Sequence, residues 1–118
     1  MVDSMDQAIG KILDALDVEG ITDNTIVLFL SDNGGFYGFG ANNRPLRGEK
    51  MTVFEGGIRV PALIRWGEQI PKASTNHQVL SIMDLLPTLA NATEINLSSR
   101  SIEGINTWPL KKQSTFKG

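Results

Sequence analysis

The stretch 25–35 decides the fold, and it reads Thr-Ile-Val-Leu-Phe-Leu-Ser-Asp-Asn-Gly-Gly. Its first six residues form a continuous apolar, β-rich run, which is typical of a strand buried on both faces of an α/β sheet. Asp32 and Asn33 follow at once, at the strand end where the ligand sites of open α/β sheets gather. Carboxylate and amide oxygens suit Ca²⁺ or Mg²⁺ rather than a soft metal. Asp-Asn-Gly-Gly is also a common turn sequence, so the stretch alone leaves both interpretations open.

The elements around this strand are those of an α/β protein. Residues 3–17 carry apolar side chains at helical spacing, which predicts an amphipathic helix that Gly20 ends. Residues 62–66 form a second short apolar run that predicts another strand. Residues 79–89 are apolar-rich and predict a further helix, with Asp84 as its N-cap.

A long glycine-rich loop separates the two predicted strands. Residues 32–57 hold seven of the twelve glycines and show no periodicity, and a loop of this length inside a compact protein is usually functional. Lys50 lies eighteen positions after Asp32, where it can act as a point charge on an anion or remain an ordinary surface lysine. Glycines at 34, 35, 56 and 57 would let the backbone approach a ligand closely.

Charge and composition narrow the classes of partner. The 118-residue chain has a formal net charge of −2, so nothing global favours nucleic acid or a membrane surface. Residues 33–66 hold five cations and two acids, a local charge of +3 that suits an anionic substrate. The chain has no cysteine, and no apolar run is long enough for a membrane span.

The order of these motifs resembles the sulfatase family, within the alkaline-phosphatase-like superfold. The resemblance implies an α/β fold in which residues 1–118 form a fragment of a sheet sandwiched by helices. It rests on six stretches in chain order: MVDSMDQAIGKILDAL at 1–16, IVLFLSDNGG at 26–35, PLRGEK at 45–50, EGGIRVP at 55–61, DLLPTL at 84–89 and GINTWPL at 104–110.

The resemblance also implies roles for individual residues. Asp32 and Asn33 would be two ligands of a Ca²⁺ ion, with Mg²⁺ the less favoured cation. Lys50 would contact the sulfate ester and stabilise developing negative charge or assist the leaving oxygen. Arg47 would help to shape the anion pocket, and Glu55 with Arg59 would form an internal ion pair. The implied ligand is a sulfated small molecule or glycan.

Several features of the family's active site have no counterpart in this sequence. Sulfatases use a formylglycine made within a Cys/Ser-x-Pro-x-Arg motif, yet the chain has no cysteine and no serine followed two positions later by proline. The upstream aspartate pair, the active-site histidines and a second lysine are also missing. We therefore expect residues 1–118 to be part of a sulfatase catalytic domain, without its nucleophile-bearing amino-terminal part and inactive alone. The resemblance implies a secreted, periplasmic or lysosomal location.

Other interpretations of the sequence remain open. A phosphatase or phosphodiesterase of the same superfold would use histidine-rich zinc sites, which Asp32-Asn33 in place of an Asp-His pair disfavours. His77 is the single histidine, and it can be a surface residue or line a cleft. The chain could also be a non-catalytic remnant that binds sulfated glycans or a partner, or a fragment with no independent role. The sequence predicts no oligomeric state.

Overall fold

The computed structural model describes residues 2–97 and 101–108. The chain divides into two compact units, Met1–Gln69 and Ile70–Gly118, and each is described by itself. Met1 of the first motif and Pro109 and Leu110 of the last lie outside the described residues. No helix in the described part of the chain is long and apolar enough to cross a membrane.

The first unit opens with helix α1, Val2–Val18, which confirms the helix predicted for residues 3–17. The helix stops at Val18, and the predicted stop signal Gly20 follows two residues later with a φ of +67°. There the N–H of Gly20 donates to the Asp17 carbonyl oxygen at 3.1 Å and that of Ile21 to the Leu16 carbonyl oxygen at 3.1 Å. These paired bonds form a Schellman motif, which glycine allows because it adopts the left-handed conformation without strain.

Strands β1, Val27–Leu30, and β2, Ala62–Arg65, pair antiparallel, with Val27 opposite Arg65. Both predicted strands are confirmed, although β1 begins two residues later and β2 ends one residue earlier than predicted. The prediction that β1 is buried on both faces is wrong for the described chain, because Phe29 is 41% exposed and its cross-strand partner Leu63 is 66% exposed. Directly paired residues share a face, and a two-stranded sheet alone leaves such a face open.

The end of α1 is tied to β2 by polar contacts. Asp17 accepts a hydrogen bond from the Thr22 hydroxyl, and its Oδ1 lies 3.4 Å from Nη2 of Arg65. The Thr22 hydrogen bond, with help from the Arg65 charge, lowers the pKa of the Asp17 carboxyl below its usual range. Both members of the ion pair are substantially exposed, so this contact orients the helix end more than it stabilises the unit.

The second unit contains a short 3-10 helix, Ile82–Asp84, that continues into helix α3, Leu85–Ala92. The helix predicted within residues 79–89 is confirmed, although α3 runs three residues further. Asp84 takes the predicted N-cap position of α3, but its side chain makes no capping hydrogen bond there. The side-chain cap belongs to the 3-10 helix, where Ser81 is the N-cap and its Oγ accepts the Met83 N–H at 3.3 Å. The added 3-10 turn moves the cap upstream, so Asp84 occupies the last position of a capping box and accepts the Ser81 N–H at 2.9 Å.

Among the described residues of this unit, the buried polar side chains are those of Asp84, Thr88 and Thr107, and they connect the 3-10 helix and α3 to residues 101–108. Asp84 accepts the Ile105 N–H at 2.9 Å, and Thr88 Oγ1 accepts the Thr107 N–H at 3.0 Å. The two threonine hydroxyls lie 3.0 Å apart. Since each buried polar group has a partner, its desolvation is compensated.

The Asp84 carboxylate makes the stability of this unit pH-dependent. The backbone N–H groups of Ile105 and then Ser81 hold the pKa of the Asp84 carboxyl below its usual range. This stabilisation is therefore complete above the unfolded pKa of about 3.9 and is lost as the pH falls through the lower folded pKa. We expect Asp84→Asn to lower the urea midpoint of the chain at pH 7, with a difference from the unmodified chain that shrinks as the pH falls below the unfolded pKa of about 3.9.

Glu103→Gln is the matched control, because Glu103 is an exposed carboxylate of the same unit. The urea midpoint of Glu103→Gln should equal that of the unmodified chain at pH 7 and at pH 3. An Asp84→Asn effect that stays constant between pH 7 and pH 3 would contradict the assignment.

Candidate functional site

Three segments of the first unit meet beyond the carboxyl end of β1. They are the acidic turn, residues 32–35; the lysine loop, residues 46–50; and the short helix α2, Glu55–Ile58. Between β1 and α2 the chain forms one short 3-10 helix, Tyr37–Phe39. The predicted long loop is therefore confirmed, and its parts fold against each other.

Backbone hydrogen bonds join each pair of these segments. The Gly34 N–H donates to the Gly57 carbonyl oxygen at 2.8 Å, and the Lys50 N–H donates to the Gly35 carbonyl oxygen at 3.1 Å. The Gly56 N–H donates to the Arg47 carbonyl oxygen at 2.7 Å. The acidic turn, the lysine loop and α2 thus form a closed triangle of contacts, which fixes Lys50 beside the turn that carries Asp32.

Glycine makes this triangle possible. Gly34 and Gly56 are buried, and a Cβ atom on Gly34 would overlap the carbonyl oxygen of Gly56. A Cβ atom on Gly56 would in turn overlap the carbonyl oxygen of Gly48. The sequence predicted that these glycines bring backbone close to a ligand, whereas the structure shows that Gly34 and Gly56 bring backbone close to backbone.

Polar side chains that the sequence analysis missed complete the scaffold. Asn43 bonds to both the N–H and the carbonyl oxygen of Gly35 and to the carbonyl oxygen of Gly48. Glu49 Oε2 accepts the Tyr37 N–H at 2.6 Å, and the Tyr37 hydroxyl donates to the Gly48 carbonyl oxygen at 2.8 Å. These residues sit in an aperiodic loop, where no spacing rule separates an engaged side chain from a solvated one.

The predicted ligand residues behave differently from this scaffold. Asp32 and Lys50 are exposed and Asn33 is half-buried. Within the described part of the chain, none of these three side chains forms a hydrogen bond or ion pair. A carboxylate, an amide and an ammonium group are therefore held on an ordered scaffold with their polar atoms available to an external ligand.

The chemistry of this donor set fits part of a hard-cation site. Asp32 and Asn33 offer a carboxylate and an amide oxygen, whereas Ca²⁺ takes about six to eight oxygen ligands. Across residues 2–97 and 101–108, no group of three or more His, Cys, Asp or Glu residues could hold a metal ion. The described residues can thus supply two ligands, and the others must come from elsewhere.

The remaining predicted site residues have local partners. The Arg47 guanidinium carbon lies 3.9 Å from the centroid of the Phe54 ring, a cation–π contact that restrains the side chain. Arg59 Nη1 lies 3.2 Å from Glu55 Oε1, which confirms the predicted ion pair. Both of its side chains are about half exposed or more, at 47% and 61%, so the pair contributes little stability.

Comparisons with known proteins agree on one family. The family model described as Sulfatase matches residues 1–95. A protein named Sulfatase from Formosa agariphila is 39% identical over 111 residues, covering 86% of this chain and 20% of that protein. Human N-acetylgalactosamine-6-sulfatase is 42% identical over 117 residues, covering 95% of this chain and 22% of that protein.

A solved structure shows the same fold. The crystal structure of Ps i-CgsB in complex with k-i-k-neocarrahexaose is 36% identical and superposes with a TM-score of 0.90, covering 97% of this chain and 26% of that one. This match confirms the predicted α/β fold. The chain spans about a fifth of the length of the curated relatives and about a quarter of the solved structure.

The triangle of contacts predicts opposite effects for two glycine substitutions. Gly34→Ala should lower the free energy of unfolding by at least about 2 kcal/mol, because the new methyl group meets backbone that cannot yield without breaking the triangle. Gly10→Ala is the matched control, since Gly10 lies within α1 and a Cβ there meets nothing within 4 Å. It should raise the free energy of unfolding by about 0.5 to 1 kcal/mol. Urea unfolding measures the free energy of unfolding of both variants. Equal changes in Gly34→Ala and Gly10→Ala would contradict the close packing of Gly34 against Gly56.

Proposed function

Because the chain belongs to the sulfatase family, we propose that its acidic turn and lysine loop contribute part of a calcium and sulfate site in a sulfuric ester hydrolase. One observation carries this proposal. Asp32, Asn33 and Lys50 have no side-chain partner within the described residues, while the Lys50 backbone bonds to the carbonyl oxygen of Gly35. The scaffold thus orders the backbone that carries these side chains and leaves their polar atoms for a ligand.

Asp32 and Asn33 would hold the cation. Ca²⁺ suits them better than Mg²⁺, because Ca²⁺ accepts irregular arrangements of carboxylate and amide oxygens. Mg²⁺ demands near-octahedral geometry and gives up its water reluctantly. When bound, the cation would supply positive charge to the oxygens of a sulfate group.

Lys50 would supply a second, fixed positive charge to the sulfate ester. Its backbone is already ordered against the acidic turn, so little reorganisation is needed when charge develops on the ester or leaving oxygen. Arg47 would add a further positive charge at the edge of the proposed anion pocket. Its guanidinium is restrained by the Phe54 ring. Electrostatic stabilisation of an anionic transition state is the role that these residues can perform.

A sulfated glycan is the substrate class that we favour. One relative is named for a sulfated amino sugar, and one structural neighbour was crystallised in complex with a neocarrahexaose. The zinc-dependent phosphatase alternative has less support, because such sites are rich in histidine and this sequence has a single histidine, the exposed His77. The cysteine-free sequence also offers no formylglycine precursor motif, so the nucleophile of the reaction would be supplied by other residues.

Calcium titration of the labelled chain tests the cation site. We expect Ca²⁺ to shift the amide NMR signals of Asp32 and Asn33 with a midpoint of about 1 mM or weaker, because two protein ligands bind calcium poorly. Asp32→Asn should remove the response, and Asp14→Asn in α1 should leave it unchanged. If the amide signals of the acidic residues in α1 saturate at a lower Ca²⁺ concentration than that of Asp32, the proposed cation site is contradicted.

Activity of the chain is the second test. The purified 118-residue chain should not hydrolyse a chromogenic aryl sulfate in the presence of Ca²⁺, while a complete sulfatase assayed in parallel should. The physical reason is that two cation ligands and one lysine provide charge but no nucleophile. Turnover that co-purifies with the chain and disappears in Lys50→Ala would contradict the proposed division of the site.

A further inference from the structure

Asn43 occupies a central place in the scaffold that the proposed function leaves unexplained. Its Oδ1 accepts the Gly35 N–H at 3.0 Å, and its Nδ2 donates to the Gly35 carbonyl oxygen at 2.8 Å. The same Nδ2 donates to the Gly48 carbonyl oxygen at 3.2 Å. One half-buried side chain thus bonds to the acidic turn and to the lysine loop at once.

These bonds use the amide in the one orientation that satisfies its surroundings. An amide oxygen only accepts and an amide nitrogen only donates. Reversing the group would place the nitrogen against the Gly35 N–H and the oxygen against two carbonyl oxygens. An aspartate of the same shape would lose both donated bonds and face the two carbonyls with a negative charge.

The partners of Asn43 are themselves connected to Lys50. The Gly35 carbonyl oxygen accepts both from Asn43 and from the Lys50 N–H. The Gly48 carbonyl oxygen accepts from Asn43 and from the Tyr37 hydroxyl. A displacement of Asn43 would remove its side-chain link between the acidic turn and the lysine loop. The direct bond from the Lys50 N–H to the Gly35 carbonyl oxygen would then hold these two segments together with less support.

We propose that Asn43 is the positioning residue that couples the cation-binding turn to Lys50. The inference rests on the proposed function, since it concerns the distance between Asp32-Asn33 and Lys50 within that site. Both polar atoms of the Asn43 amide bond to the backbone of Gly35 and Gly48, so Asn43 itself would bind neither the cation nor the sulfate group. Asn43 acts through the backbone of Gly35 and Gly48. Without Asn43, cation binding at the acidic turn would have less effect on the position of Lys50.

Asn42 provides a matched control in the adjacent position. Its Oδ1 accepts the Arg44 N–H at 3.1 Å, a local turn contact, and the residue is exposed. Asn42→Asp adds the same charge as Asn43→Asp without removing a bond between segments. Asn43→Ala removes the bonds without adding charge, and it serves as a second variant if the aspartate prevents folding.

Hydrogen exchange of the uniformly labelled 118-residue chain gives the first readout. We expect the Lys50 amide to exchange about tenfold faster in Asn43→Asp and Asn43→Ala, and to change less than about twofold in Asn42→Asp. The Ile105 amide, which bonds to Asp84 in the second unit, should be unchanged in all variants. The β1–β2 amides should stay protected, which shows that the first unit remains folded.

The calcium-induced shift of the Lys50 amide signal is a second readout, which a loss of stability alone would not change. At equal saturation of the Asp32 and Asn33 signals, the calcium-induced shift of the Lys50 amide should fall at least about threefold in the Asn43 variants and persist in Asn42→Asp. An unchanged Lys50 response and unchanged Lys50 exchange would overturn the role of Asn43. If Ca²⁺ shifts no Asp32 signal in the unmodified chain, the proposed cation site is overturned. The Lys50 exchange rates alone would then show whether Asn43 holds the lysine loop against the acidic turn.

Discussion

The close approach of the Gly34 backbone to the carbonyl group of Gly56 is the constraint on which the first unit depends. It brings the end of β1 against α2, and the hydrogen bond from Gly34 to Gly57 follows from it. The lysine loop closes onto both through Lys50 and Gly56. A loop of more than twenty residues is thereby ordered by backbone contacts rather than by an apolar core, which makes it sensitive to any added side-chain atom.

The loop contains two kinds of polar residue: those whose side chains bond to its backbone, and those whose side chains remain available to a ligand. Asn43, Glu49 and Tyr37 use their polar groups on the backbone of the loop. Asp32, Asn33 and Lys50 lie on the same loop without such partners among the described residues. Preorganised charges that need not move during reaction are the arrangement from which electrostatic catalysis gains most. Backbone contacts hold the segments together, and the side chains of Asp32, Asn33 and Lys50 form no hydrogen bond or ion pair with one another.

Sequence patterns predicted the regular elements well because their physical causes are local. Helical spacing located α1, and the continuous apolar run located β1. Asp84 was predicted to cap α3 and takes that position, but its carboxylate bonds to the Ser81 N–H instead, because nothing in the sequence shows that a 3-10 turn precedes the helix. The burial of β1 was overestimated because it depends on what covers Phe29 and Leu63, which the described chain leaves exposed. Asp32, Asn33 and Lys50 were predicted as site residues from their chemistry and from family resemblance, and that assignment stays a prediction. The place of Asn43 in the scaffold depends on contacts that only the folded loop creates.

The most direct test of the account is to map where a paramagnetic cation binds. Mn²⁺ added at trace amounts to the labelled chain, and displaced by excess Ca²⁺, broadens amide signals according to their distance from the ion. We expect the signals of Asn33, Gly35 and Lys50 to broaden first and together, while the Ile105 signal remains sharp. Preferential broadening of the acidic residues of α1, with Lys50 unaffected, would contradict a shared cation and anion site at the end of β1.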